Sequence, residues 1–200
     1  MITHVVGISI GSSSATESGV AVRELQTGKF IYIDKLFSMS DVELFFDNYN
    51  NLKNSVICVS LPWDNTMLEG KWRILSKPYQ LIHQNDNFIN KDNWMQRFAS
   101  RGSELFLNLS SQGVDIYRFE IYLARQKLNL YSNYKEHSSA DCKFLQTELK
   151  LNWGFDELPS NMMPAAQLEA IIGTILAEKK VKSETTKIFD FKGLDVINPI

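Results

Sequence analysis

The sequence predicts an α/β fold built on a mixed sheet of five strands with helices packed on it, and three observations carry that expectation. Two short, nearly continuous apolar runs, VVGISI at 5–10 and VICVSL at 56–61, have the composition of strands buried on both faces. Two further strand-like segments, 19–25 and 30–36, follow the first run and are joined at Gln26-Thr27-Gly28, a turn in which glycine tolerates a positive φ. A single helical pattern then separates residue 36 from the second run, so that run returns to the sheet through a crossover.

Taken in order, the first run closes at Gly11 and the serines at 12–14, and with 19–25 and 30–36 it makes three adjacent antiparallel strands. Ser40 with Glu43 three residues on reads as a capping box, and Val42, Leu44, Phe45, Tyr49 and Leu52 supply the apolar face of the helix. A right-handed crossover makes the fourth strand, stopped by Pro62, parallel to the first and next to it. The ends of both strands then lie together, where α/β folds place their sites.

Residues 63–93 are polar and rich in Asn and Asp, a loop-rich insertion. A helix over 94–111, capped at Asp92 or Asn93, leads through Gly113 to a strand at 114–122 that carries Glu120 in apolar company. Helices follow at 139–151, with Ser139 as cap and Gly154 as stop, and at 164–180, where Leu168, Ile171, Ile172, Ile175 and Leu176 form a stripe. Residues 187–200 read as an edge strand or tail, with a hairpin turned at Lys192-Gly193.

With 200 residues, 44% of them hydrophobic, the chain can bury one substantial core, and a single domain over 1–200 is expected. A net charge of −2 gives no overall basic field, although a local patch is compatible with it. Cys58 and Cys142 lack zinc spacing and read as reduced thiols. No apolar run approaches the roughly 20 residues of a membrane span, and no leader pattern opens the chain, so a soluble, cytoplasmic protein with no membrane partner is expected.

Four pieces in this order carry a family resemblance: VVGISIG at 5–11, ICVSLPW at 57–63, YRFEIYLARQ at 117–126 with NYK at 133–135, and QLEAIIGTILA at 167–177. Together they resemble the RNase H-like superfamily, and specifically its uncharacterised branch of predicted RNase H-like nucleases. In that branch the pieces correspond to G-I-D, I-D-x-P-L, E-V-Y-P followed by Y-K, and a D-A pattern in the late helix. The tail GLDVINPI resembles the apolar strand ending in proline with which such chains finish. Each motif is weak by itself; their order and spacing make the resemblance.

The resemblance implies an RNase H-like fold and a carboxylate site holding magnesium or manganese for phosphodiester hydrolysis. Hard cations take hard oxygen ligands, and two of them stabilise the attacking and leaving oxygens. Carried over by position, the site is Ser9, Ser60, Glu120 and Glu169. The resemblance thus leaves Glu120 and Glu169 as catalytic and metal-holding acids, and makes Ser9 and Ser60 degenerate positions where neutral hydroxyls replace anions. Glu17 and Asp64 are the acids that could stand in from shifted positions, with solvated loop residues as the plainer reading. Glu120 as an outward strand residue and Glu169 as a solvated helix residue are the corresponding plain readings.

Lys71, Trp72, Arg73, Lys77 and Tyr79 cluster in the insertion, with Arg97 and Arg101 one helical turn apart nearby, and Lys135 lies in the Y-K motif. Such cations with interleaved rings can grip a sugar-phosphate backbone, which makes Lys71, Arg73, Lys77 and Lys135 the nucleic-acid-binding candidates; a decorated surface loop is the alternative. His4, His83 and His137 show no ligand spacing and read as ordinary histidines.

Two functions stay open. One is a catalytically impaired RNase H-like protein that keeps the fold to bind DNA, RNA or a protein partner, with no cofactor. The other is an active magnesium- or manganese-dependent nuclease that uses Glu120, Glu169 and Asp64. A third reading, ISIGSSS as the phosphate turn of an actin-like or sugar-kinase ATPase, fails on length and on the lack of a second glycine-rich turn.

Overall fold

A computed structural model describes residues 1–11, 16–60, 105, 108–191 and 194–200. The chain runs β1 (His4–Ser9), β2 (Ser18–Glu24), β3 (Phe30–Leu36), α1 (Met39–Asn48), β4 (Ser55–Val59), β5 (Asp115–Phe119), α2 (Ile121–Lys127), α3 (Ser139–Trp153), α4 (Ala165–Val181), β6 (Thr185–Phe191) and β7 (Leu194–Pro199). The strands form one mixed sheet in the order β3-β2-β1-β4-β5-β7-β6.

The first three strands are antiparallel neighbours, and β4 returns parallel to β1, with Val6 opposite Ile57 and Ile8 opposite Val59. Both relations match the sequence reading. The expected five strands become seven, because β7 pairs parallel to β5 and β6 pairs antiparallel to β7. The C-terminal segment therefore supplies an inner strand as well as an edge one. Its hairpin pattern was visible in the sequence, but the sheet edge that would receive it was not.

Side-chain alternation divides the core in two. Val5, Ala21, Val56, Cys58 and Phe119 face α2, α3 and α4, while Val6, Ile8, Val20, Val22, Ile57, Val59 and Ile116 face α1 with Leu105 and Leu109. The result is a three-layer α/β/α arrangement. Cys58 and Cys142 are both buried and unpaired by disulfide, and burial, the largest influence on each, pushes both thiols up, as befits inert cysteines. Among the described residues no helix is long and apolar enough to cross a membrane.

Local starts differ from the expected ones. Helix α1 is capped by Ser38, not Ser40: the Ser38 hydroxyl accepts from the Asp41 N–H and the Asp41 carboxylate accepts from the Ser38 N–H. Two overlapping boxes, Ser38/Asp41 and Ser40/Glu43, stand in the sequence, and the earlier one adds a half-turn of helix. Helix α3 is likewise capped one residue earlier, by Ser138. The strand expected over 114–122 ends at Phe119, and residues from Ile121 onward are helical. Ile121, Tyr122 and Leu123 prolong an apolar run that strand and buried helix share, so hydrophobicity did not mark the boundary.

Candidate functional site

Glycine brings α4 onto the sheet. A Cβ on Gly7 would fall 1.8 Å from the Ala170 carbonyl oxygen, one on Gly19 would fall 1.9 Å from that of Ala166, and one on Gly173 would fall 2.7 Å from Gly7 Cα. Helix and strands therefore meet backbone to backbone at positions no other residue fits. Because Ala166 sits over Gly19, the partner of Ser9 in β2, and Ala170 sits over Gly7, the intervening Glu169 is delivered to the end of β1.

There the Ser9 hydroxyl donates to Glu169 Oε2 at 2.6 Å. The other oxygen, Oε1, lies 2.8 Å from His137 Nε2, and since an ionised carboxylate only accepts, that nitrogen carries the proton. Ser9 and Glu169 are buried, 5% and 8% exposed, while the His137 side chain is exposed. Burial pushes the Glu169 carboxyl up, but the bond and charge of His137, the Ser9 hydroxyl and Arg125 outweigh it and hold it below the ordinary glutamate range. The bond to Glu169 and its charge hold the His137 imidazole above its ordinary value, against the effect of burial.

Ser60 follows directly on β4. Its N–H donates to the Ile8 carbonyl at 2.8 Å, one step beyond the Ile8–Val59 pair, so Ser60 stands beside Ser9 on the face shared with Gly7, Cys58 and α4. The two hydroxyl-bearing positions are thus neighbours across the central parallel strands. Glu120 is buried at the end of β5 and is the N-cap of α2, its Oε2 accepting from the Leu123 N–H at 2.8 Å. Its placement is neither the strand interior nor an outward strand position. Glu17 pairs with Lys35 at 3.4 Å. Lys135 is exposed on the loop between α2 and α3. Asp64, Lys71, Arg73 and Lys77, with Trp72, Tyr79, His83, Arg97 and Arg101, lie outside the described residues.

The sequence reading missed three participants. His137, taken there as ordinary, touches Glu169 from 32 residues away, a separation that leaves no local signal. Arg125 and Asp141 form a fully buried two-pronged pair, Nη2 to Oδ1 at 2.6 Å and Nη1 to Oδ2 at 3.1 Å. Asp141 also accepts from the Ser132 hydroxyl at 2.7 Å and the His137 N–H at 3.1 Å, so it fastens the loop that presents His137. Arg125 and Ser132 outweigh burial and hold the Asp141 carboxyl below its usual range.

The arrangement defines the class of fold. A sheet with three antiparallel strands, a parallel β4 beside β1, further crossovers and a helix laid across the centre is RNase H-like. The solved structure of T. thermophilus RuvC in complex with Holliday junction substrate matches it with a TM-score of 0.50 at 10% identity, over 98% of this chain and 99% of that one. At that identity the fold is what is shared. No protein-family profile matches the sequence, and no curated protein is significantly similar to it.

A paired magnesium centre does not fit the donors among the described residues. The two central-strand positions carry neutral hydroxyls, and both oxygens of Glu169 are already engaged, one by a histidine whose protonated form would oppose a second cation. Among the described residues no group of three or more His, Cys, Asp or Glu side chains could hold a metal ion.

Proposed function

We propose that this chain is an RNase H-like protein of the branch its motif order resembles, impaired in metal-dependent phosphodiester hydrolysis and using the fold to bind nucleic acid. The observation that carries this reading is the adjacent pair Ser9 and Ser60 where the resemblance expects anions, with Glu169 committed to Ser9 and His137. Two-metal chemistry needs several anionic oxygens converging on one point, and hydroxyls do not replace them. Nucleic acid is favoured over a protein partner because RuvC, whose fold this chain shares, is seen with a Holliday junction. The exposed Lys135 beside the site is a suitable phosphate contact.

The test is divalent-ion binding and cleavage in parallel. By calorimetry the wild-type chain should bind manganese weakly. Ser9→Asp combined with Ser60→Asp should bind it at least roughly tenfold more tightly, since two carboxylates are returned to neighbouring positions. Labelled single-stranded, duplex and four-way-junction DNA should be bound without metal and left intact. Metal-dependent cleavage by the wild type, lost in Glu169→Gln, would establish the active nuclease instead.

A further inference from the structure

Residues 128–138, between α2 and α3, carry two aromatic side chains that the fold leaves in solvent: Tyr131 is 46% exposed and Tyr134 56%. Exposed rings on a loose loop would mean little, but this loop is fastened along its length. The Leu130 N–H donates to the Arg125 carbonyl and the Leu130 carbonyl accepts from Arg125 Nε. The Tyr134 N–H donates to the Ser132 hydroxyl, which itself donates to Asp141, and the Ser138 N–H donates to the Lys135 carbonyl. His137 closes the series with its N–H on Asp141 and its ring at Glu169, in a left-handed backbone conformation (φ +57°) that is uncommon for a non-glycine residue.

The rings are therefore displayed on a frame already ordered before any ligand arrives, which lowers the entropic cost of binding. Lys135 next to Tyr134 is exposed, whereas Glu136, the acidic residue of the loop, is half-buried, so a ligand meets the cation first. Two rings and a cation on a rigid loop suit a ligand with flat apolar faces joined by anions. Unpaired nucleotides have that chemistry; a duplex hides its base faces in its own stack and offers only phosphates.

We propose that this loop is a stacking platform for unpaired nucleobases, with Tyr131 and Tyr134 taking the bases and Lys135 the connecting phosphate. The inference rests on the nucleic-acid reading above and deepens it by naming the part of the nucleic acid held here. Fluorescence anisotropy of the full chain would test it with three probes: an oligo-dT strand of about 15 nucleotides, the same strand with abasic sites, and a blunt duplex.

The wild type should prefer oligo-dT to the abasic strand. Replacing both tyrosines, Tyr131→Ala with Tyr134→Ala, should weaken oligo-dT binding at least roughly fivefold and leave the abasic strand and the duplex unchanged, and Tyr131→Phe with Tyr134→Phe should restore it. Equal binding of oligo-dT and abasic strand by the wild type, or no loss in the alanine pair, would overturn the platform. Binding confined to the duplex would remove the platform and leave the nucleic-acid reading standing; binding to none of the probes or to a four-way junction would remove both.

Discussion

The two sides of α4 are held by opposite means. Toward the sheet it is held by absence of side chain, Gly7, Gly19 and Gly173 letting backbone lie on backbone. Toward α2 and α3 it shares an apolar core, and at the loop that connects them it is held by charge, through Glu169 to His137 and through Arg125 and Asp141, which fasten the loop behind that histidine. The apolar side decides where Glu169 is, and the polar side decides what state it is in. A carboxylate placed by shape is then met by Ser9 on one oxygen and by His137 on the other.

The glycine side should break most completely. Gly7→Ala places a methyl group against the main chain at Ala170, where no side chain can turn aside. We expect a loss on the order of 5 kcal/mol, beyond ordinary overpacking, read as collapse of the urea midpoint or of soluble yield. The charged side comes next. Asp141→Ala leaves the Arg125 guanidinium buried without its carboxylate and releases Ser132 and His137, at a cost on the order of 4 kcal/mol by urea unfolding. If Asp141→Ala proved harmless while Gly7→Ala did not, the polar side would be ornament and the comparison would fail.

The same contrast explains what the sequence made legible. Strands buried on both faces announce themselves by composition, so β1, β4 and their parallel pairing could be read from VVGISI and VICVSL. Glu169 also carried a signal, as the single charge in the run 164–177, and in that setting a buried, partnered acid is the expected exception. Its partners were not legible. Ser9 lies 160 residues away and His137 32, and pairing across such separations depends on how closely α4 sits on the sheet. That closeness is written in Gly7, Gly19 and Gly173, but a glycine in a strand or helix pattern is compatible with a bulge, a weak position or a close approach, and only the assembled layers choose among them. Glu120 shows the converse: its acid was noticed, and the helix it starts was hidden because the apolar run continued past it.

The smallest expected effect is the one that reads the polar side directly. Glu169→Gln keeps the shape and both hydrogen-bonding ends while removing the charge, so its cost should lie near about 1–2 kcal/mol and should depend on pH. The sign follows from the two partners. The His137 imidazole is held above its ordinary value, so its contribution is full below the unfolded value and is lost as pH rises through the folded one. The Glu169 carboxyl is held below its ordinary value, so its contribution is present above the unfolded value and is lost as pH falls through the folded one. The difference between wild type and Glu169→Gln should therefore peak in the window between the two folded values and shrink on either side. Urea midpoints from about pH 4 to about pH 9 would trace it, with the His137 ring resonance followed in parallel. In Glu169→Gln that resonance should titrate at lower pH than in the wild type. A flat difference across the range, with His137 titrating alike in both proteins, would mean that the carboxylate and imidazole are neighbours without being an ion pair, and Glu169 would again be available as an acid awaiting a cation.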